Sequence, residues 1–371
     1  MRNFGNKYKV KFDMITNQKV IALKKLGEFL ARYDKSVVNQ PVFPGQWAPF
    51  FEALDVLIER LQEKNPWFTP DNVRFSLQAW AKALQPDKID EWVKKYDLSK
   101  DISPKRVGLI MAGNIPLVGF HDWLVTWFAG HRPVVKMSSS DNRLLPLLVK
   151  FIEFVEPAFK GLTEFRDGLM RDIDAVIATG SDNSARYFEY YFSRIPHIIR
   201  KNRNGVAVLT GDETADELKA LASDMLLYFG LGCRNVTKIF IPEDFDLNRI
   251  FEATLDFAHY FGYVKYRNNY LYYRAIYSMS TNPVERESLL ENGLIILKHD
   301  TAYVSPVSVV FYEKYKDLKD VIRILKHDRK KIQVVVSKAE IPGAVSPGKT
   351  QLPDLWDYAD GVDTMEFLLD L

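Results

Sequence analysis

The chain has 371 residues and is 47% hydrophobic, enough to bury more than one core, so two or three domains are expected. Its 50 basic and 48 acidic residues leave a net charge of +2 and are mixed along the whole length, which excludes the concentrated basic surface that tracks a nucleic-acid backbone. A single cysteine excludes an internal disulfide, suits a reducing compartment and leaves a free thiol to be explained.

The first residues, Met1 to Lys7, lack the apolar run of a secretion signal. No segment approaches the roughly 18 uninterrupted apolar residues of a membrane span, so a cytoplasmic, soluble protein is expected. Amphipathic runs over Val20 to Tyr33, Trp47 to Lys64 and Asn72 to Leu84, the last following Thr69-Pro70-Asp71, predict a helical region over 1–95. From Arg106 short apolar runs alternate with helical stretches. Strands are predicted at Val107 to Met111, Pro133 to Lys136 and Asp174 to Ala178, with helices over Pro116 to Gly130, Leu144 to Phe159 and on through Tyr187. This is the rhythm of a parallel α/β sheet, whose strands end where a ligand can sit. It continues with the strand Val206 to Leu209 and a helix from Ala215 to Phe229. After Cys233 come the strand Lys238 to Ile241, the helix Leu247 to Tyr260 and an aromatic-rich stretch, Tyr270 to Tyr277. Strands at Leu294 to Leu297, Val307 to Phe311 and Ile332 to Val336 complete a second α/β unit. Pro342-Gly343 and Pro347-Gly348 mark loops leading to a tail from Leu352 to Leu371. The expected organisation is thus a helical region (1–95), a sheet domain (96–205), a second α/β domain carrying the cysteine (206–339) and a C-terminal tail (340–371) that returns to the first sheet domain or to an oligomer interface.

Chemistry concentrates at a few places. Cys233 lies in Phe229-Gly230-Leu231-Gly232-Cys233-Arg234-Asn235, where glycines permit unusual backbone angles and close ligand approach. The neighbouring Arg234 would favour the reactive thiolate, whereas a lone cysteine with no other support is more often a small buried hydrophobe. In Met111-Ala112-Gly113-Asn114-Ile115-Pro116-Leu117 an apolar strand runs into an asparagine, followed by a proline suited to a first helical turn. The Asn114 amide could donate to a developing oxyanion or simply cap the helix, and the residues alone leave both roles open.

The segment Met111 to Leu117, continued by Phe128-Ala129-Gly130-His131-Arg132-Pro133-Val134-Val135-Lys136, resembles the aldehyde-dehydrogenase stretch in which a catalytic asparagine precedes Phe-Pro and a strand ends in a cofactor-binding lysine. Val176-Ile177-Ala178-Thr179-Gly180-Ser181 is similar to that superfamily's Phe-Thr-Gly-Ser turn, Gly230-Leu231-Gly232-Cys233 to its Gly-Gln-x-Cys motif, and Ser305-Pro306-Val307 with the apolar residues after it to its Phe-Gly-Pro-Val strand. Within the superfamily the pattern resembles the acyl-CoA reductase family typified by the fatty-acid reductase of bacterial luminescence, from about Arg106 to the C-terminus. The resemblance implies an α/β, aldehyde-dehydrogenase-like fold, with a Rossmann-type cofactor domain, an α/β catalytic domain and the helical N-terminal region. It implies that Cys233 attacks an acyl thioester and that Asn114 with the Cys233 N–H stabilises the oxyanion. Lys136 would hold the adenosine ribose, Thr179, Gly180 and Ser181 would approach the pyrophosphate, and a hydride would release an aldehyde. Outside the resemblance, Lys136 reads as a solvated strand end and Thr179-Gly180-Ser181 as a turn with a helix cap.

Departures sharpen this reading. The superfamily's Glu-Leu-Gly-Gly base corresponds to Arg200-Lys201-Asn202-Arg203-Asn204-Gly205, which has no carboxylate to activate water, and this favours thioester chemistry over oxidation to a free acid. The same loss also fits an inactive protein. Lys-Pro-Ser-Glu has become Lys136-Met137-Ser138-Ser139. Ser138 and Ser139 leave room for a 2′-phosphate that a glutamate would repel, with Arg143 or Arg132 as its partner, so NADPH is expected and NADH is the alternative. The glutamate before Phe-Gly-Pro aligns with Thr301 or Ala302. His121, His131, His197, His259, His299 and His327 show no metal-ligand spacing, and no metal is expected. His121 is either an acid near Asn114 or a packed histidine. Trp47, Trp67, Phe68, Trp80, Trp123 and Trp127 either line an acyl tunnel or fill a core. The expected partners are an acyl-CoA or acyl-carrier substrate, an acyl-activating or acyl-transferase protein, and further copies of the chain in a homo-oligomer. An acyl-phosphate reductase and a non-redox acyltransferase are the competing readings.

Overall fold

The computed structural model describes residues 4–34, 42–98, 102–279 and 289–371. The chain divides into two compact units, one of Met1–Lys201 with Leu352–Leu371 and one of Asn202–Gln351.

The first unit begins with helices α1 (Phe4–Ala31), α2 (Ala48–Lys64), α3 (Pro70–Ala83) and α4 (Pro86–Lys94). Thr69 caps α3 by accepting the Asn72 N–H, with Pro70 in the first turn, the combination the sequence signalled. Strands β1 (Arg106–Ile110), β2 (Arg132–Lys136), β3 (Glu164–Phe165), β4 (Ala175–Thr179) and β5 (His197–Arg200) then alternate with α5 (Phe120–Phe128), α6 (Leu144–Val155) and α7 (Asp182–Phe192). The strands form one parallel sheet in the order β3-β2-β1-β4-β5. The chain winds outward from β1 in one direction and then in the other, the order of a doubly wound α/β sheet.

The N-terminal helices share one core with this sheet. Phe29 of α1 stacks on Phe51 of α2 at 4.6 Å and on Phe151 of α6 at 4.2 Å. Trp47, Phe68, Trp123 and Trp127 are buried in the same core, and Trp67 and Trp80 pack against it. These aromatics are therefore packing residues, each removing a large apolar surface from water, and the tunnel reading is set aside. The C-terminal segment closes this unit. Tyr358 joins Trp92 and Tyr96 by hydrogen bonds of 2.8 Å, and His131 Nε2 meets the Leu368 carbonyl at 2.7 Å. Arg200 grips both carboxylate oxygens of Asp122 and donates to the Thr364 hydroxyl at 3.0 Å.

The second unit holds a seven-stranded sheet in the order β12-β11-β6-β7-β10-β9-β8. Its strands are β6 (Asn204–Val208), β7 (Val236–Pro242), β8 (Leu289–Glu291), β9 (Ile296–His299), β10 (Val309–Tyr315), β11 (Ile332–Val336) and β12 (Ala344–Val345). Among the described residues only the β8–β9 pair is antiparallel. Helices α8 (Ala215–Leu226), α9 (Asn248–Ala253), α10 (Val264–Ser278) and Leu318–His327 complete it. A capping box between Thr214 and Glu217 starts α8, satisfying two N-terminal donors at once. The single helix expected over Leu247 to Tyr260 is instead α9 followed by a 3-10 segment, Leu255–Gly262. The aromatic stretch Tyr270 to Tyr277 lies within α10.

The Arg200–Asp122 pair is almost wholly buried. Replacing Asp122 with Ala leaves a buried guanidinium without its counter-charge and is expected to destabilise the first unit by about 3–5 kcal/mol, read from the midpoint of urea unfolding.

Candidate active site

Parallel strands place their C-terminal ends at one edge of a sheet, and the central position of β1 puts the ends of β2 and β4 on either side of it. Asn114, which follows β1, therefore shares an edge with Lys136, Ser138 and Ser139 at the end of β2 and with Thr179, Gly180 and Ser181 at the end of β4. The turn between β1 and β4 is where the winding direction reverses, the position at which such sheets bind ligands.

The loop after β1 is tightly built. A Cβ on Gly113 would lie 2.5 Å from the Cβ and Oγ of Ser138, so only glycine lets the two loops touch. Leu117 is left-handed, with φ +59°, and its N–H donates to the Asp141 carboxylate at 2.8 Å while Ser76 donates to the Pro116 carbonyl at 2.9 Å. That conformation cannot begin a helix. The helix expected from Pro116 therefore starts at Phe120, and Pro116 is a turn residue rather than a first helical residue. Asn114 is exposed on this loop. Lys136 is half-buried and its carbonyl accepts the Met111 N–H at 3.0 Å. Ser138 Oγ accepts the Ser140 N–H at 3.2 Å, and Ser139 is exposed. Ser181 caps α7 by accepting the Ser184 N–H at 3.3 Å, and the Gly180 N–H donates to the Arg200 carbonyl. Asp182 occupies the first turn of α7, so a carboxylate already stands at the positive end of that helix.

Asp141 is a residue that the sequence did not single out. One carboxylate oxygen holds Leu117, and the other is buried with no hydrogen-bond partner among the described residues. Burial pushes the carboxyl up to about 6, against the lowering effect of the Leu117 N–H. Arg166 is another. It follows the two-residue strand β3 and lines, with Val135, Met137, Ser139, Asn142, Phe165 and Asp167, a cavity of about 330 Å³. Arg132 opens β2 whereas Lys136 closes it, so the strand rise puts them about 13 Å apart. Arg132 thus stands at the wrong edge for the role expected of it. His121 is a packed histidine. Its ring stacks on Tyr358 at 5.2 Å, its Nε2 meets the Leu355 carbonyl at 3.0 Å, and burial lowers its pKa.

In the second unit, α8 ends in three consecutive left-handed residues, Tyr228, Phe229 and Gly230, with φ of 54°, 59° and 75°. Glycine takes this conformation freely, but each of the two aromatic residues costs on the order of 1–2 kcal/mol. Packing offsets part of the cost. Phe229 is buried against the rings of Tyr260, Tyr263 and Tyr266 at 4.3, 5.2 and 5.9 Å. Asn235, fully buried, braces the turn as well. Its Nδ2 donates to the carbonyls of Asp224 at 2.9 Å and Leu227 at 3.0 Å, and its Oδ1 accepts the Gly232 N–H at 2.8 Å. One amide thus satisfies groups that the end of α8 would otherwise orphan and holds the loop on which half-buried Cys233 is presented. The loop is tied further. Arg234 Nε donates to the Thr350 carbonyl at 2.5 Å, and the buried Asp224 carboxylate accepts the N–H groups of Gly348 and Thr350 and the Thr350 hydroxyl. A Cβ on Gly205 would lie 2.8 Å from the Arg234 carbonyl, and the Gly205 N–H donates to the Asn235 carbonyl at 2.8 Å. The Asn202-Arg203-Asn204-Gly205 segment, which lacks a carboxylate, therefore backs directly onto the cysteine loop. Near Thr301, the buried Lys238 donates to the Thr301 carbonyl at 2.8 Å and pairs with Glu313. Among the described residues no group of three acidic, histidine or cysteine side chains is placed to hold a metal ion, and no helix is long and apolar enough to cross a membrane.

No protein-family model and no curated protein matches the sequence. Solved structures do match. Aldehyde dehydrogenase 21 from Physcomitrella patens, in complex with the reaction product succinate, superposes with a TM-score of 0.65 at 12% identity, covering 96% of this chain and 84% of that one. A putative aldehyde dehydrogenase from Anabaena variabilis gives 0.56 at 15% identity, covering 92% and 80%. A Mycobacterium tuberculosis aldehyde dehydrogenase complexed with NAD+ gives 0.54 at 14% identity, covering 89% and 78%. The chain has the aldehyde-dehydrogenase-like α/β fold.

Two outcomes follow from this geometry. Replacing Asn235 with Ala orphans several buried carbonyls and is expected to cost about 2–4 kcal/mol in unfolding free energy, with faster alkylation of Cys233 by iodoacetamide as its loop loosens. The Asp141 carboxyl is raised in the folded state from 3.8 to about 6, so the native state holds the extra proton between those values and the contribution of Asp141 to stability falls as pH rises through them. The Asn variant at 141 keeps an acceptor for Leu117 but cannot ionise. Its stability relative to the parent should improve by about 3 kcal/mol between pH 3.5 and pH 7, as urea midpoints at the two pH values would show.

Proposed function

We propose that the protein reduces an acyl thioester, carried on coenzyme A or an acyl-carrier protein, to an aldehyde using NADPH, with NADH as the alternative. The observation that carries this reading is the thiol of Cys233, presented on a strained and fully braced loop while the segment packed behind that loop, Asn202 to Gly205, offers no carboxylate. Strain of this kind persists only where surrounding contacts over-determine it, and it concentrates at functional sites. The doubly wound sheet fits a nicotinamide dinucleotide. Gly113 and Gly180 leave no side chain between the backbone and its neighbours at the ends of β1 and β4, and a cavity opens beside Ser139. The NAD+ complex of the Mycobacterium tuberculosis enzyme supports a cofactor of this class.

In this reading the Cys233 thiolate attacks the acyl carbonyl, and a carbon–sulfur bond forms as the carrier thiolate departs. The Asn114 amide and the Cys233 N–H donate to the oxyanion at each tetrahedral stage. With no carboxylate base on Asn202 to Gly205, water is not activated and the acyl-cysteine survives. A nicotinamide bound there would supply a hydride to the acyl carbon. The oxyanion then collapses to an aldehyde, and the thiolate of Cys233 is released. Lys136 would hold the adenosine ribose.

Incubation with acyl-CoA alone should leave a stable acyl adduct on Cys233, seen by mass spectrometry, and addition of NADPH should discharge it with loss of nicotinamide absorbance. Cys233→Ser should abolish both while sparing cofactor binding, and Asn114→Ala should lower kcat by about 10²–10³-fold. An adduct that NADPH never discharges would point to non-redox acyl transfer. Consumption of NADPH with an acyl phosphate but not with a thioester would point to the acyl-phosphate reductase.

A further inference from the structure

We infer that Arg166 selects the cofactor: its guanidinium binds a phosphate on the adenosine 2′-oxygen, in the cavity it shares with Ser139. The inference rests on the proposed nicotinamide site and names the residue that decides which nicotinamide that site accepts.

Three observations carry it. The cavity lies at the C-terminal ends of β2 and β3, where Val135, Met137 and Phe165 offer apolar wall and Ser139, Asn142 and Arg166 offer polar groups. Its volume of about 330 Å³ is at the lower end of small-molecule sites, enough for part of a nucleotide. Second, Arg166 is held in place. Nε and Nη2 both donate to Glu164, at 2.8 and 2.5 Å, and Nη1 donates to the Arg171 carbonyl at 2.6 Å. Glu164 is itself gripped by Arg106 at 2.8 Å, and hydrogen bonds from Arg106 and Arg166 hold its carboxyl below the usual range. Third, a guanidinium has five N–H donors in a planar fork, and these contacts use three. Two donors, one on each terminal nitrogen, have no partner among the described residues. These two donors and the positive charge are left for an anion such as a phosphate. Because Glu164 is shared between two arginines, the three-residue cluster keeps a net positive charge. Asp167, also on the cavity wall, is exposed to solvent, where its repulsion is screened.

The other arginines are less well placed. Arg132 stands at the far end of β2. Arg143 lines an open cleft of about 1190 Å³ between α2 and α6, which shares Asn142 with the Arg166 cavity, but Arg143 does not line that cavity itself.

The test uses nucleotide fragments that carry no nicotinamide, so binding is read without turnover. Isothermal titration of the full chain with 2′,5′-ADP, 3′,5′-ADP and 5′-AMP should show the 2′-phosphate isomer binding about tenfold or more tighter than 5′-AMP, with no gain for the 3′ isomer. Arg166→Leu should erase that preference and leave 5′-AMP affinity unchanged. Ser139→Glu, which leaves the Arg166 cluster intact, should also erase it, and Arg143→Leu should not. Equal binding of 2′,5′-ADP and 5′-AMP by the parent, or a preference that survives Arg166→Leu, overturns the inference while leaving the nicotinamide site standing. A gain confined to the 3′ isomer overturns it too and assigns the cavity to the nucleotide of coenzyme A. Failure of every fragment to bind removes the nicotinamide reading itself.

Discussion

The cysteine loop depends on the side-chain amide of Asn235. Helices usually end on a glycine because the residue that turns the chain must be left-handed. Here the turn takes three such residues and two of them are aromatic, so the helix end alone is unfavourable. The amide reverses that balance because it is buried, planar and able to donate and accept at once. It collects the carbonyls released by α8 and fixes the Gly232 N–H in the same step. Phe229, locked by a ring of tyrosines, then becomes the floor of the loop. A thiol held this way would lose little freedom on reacting, the form of preorganisation that the proposed attacking role needs.

Much of this organisation was legible in the sequence, and the parts that were not have physical reasons. Short apolar runs located β1, β2, β4, β6, β7, β9, β10 and β11 because strands inside a mostly parallel sheet are covered from both sides and read as near-continuous apolar segments. The edge strands β3, β8 and β12 are two or three residues long and the edge strand β5 only four, and they leave no such trace. Arg166 was invisible for that reason, since its position is set by a strand too short to predict. The start of α5 was misplaced because Pro116 is a common first helical residue, while the left-handed turn at Leu117 is stabilised by Asp141, a partner that only the folded chain brings near. Asn235 stood in plain view beside the cysteine, but an asparagine in a glycine-rich loop reads as a turn residue, and the carbonyls it serves lie up to eleven positions back along the chain.

The candidate residues fall into two kinds. Those at the edge of the five-stranded sheet are placed by topology: once β1 is central, the ends of β2 and β4 have to flank it. The exposed side chains among them, Asn114 and Ser139, can vary without moving the backbone, whereas Gly113 and Gly180 have no room for one. Cys233 is placed by specific contacts instead, through Asn235, Arg234 and Asp224. Substitution is correspondingly less tolerable there.

The second unit is a single uninterrupted stretch, Asn202–Gln351, whereas the first is completed by the last twenty residues of the chain. This has a consequence for biosynthesis. As the chain emerges from N to C, the cysteine-bearing unit has its whole sequence available well before the first unit does. The hydrogen bonds of Tyr358 to Trp92, of Arg200 to Thr364 and of His131 to Leu368 have to wait for the final segment. A chain released before Leu352–Leu371 is made would hold the complete sequence of the thiol loop and an unfinished core around the five-stranded sheet.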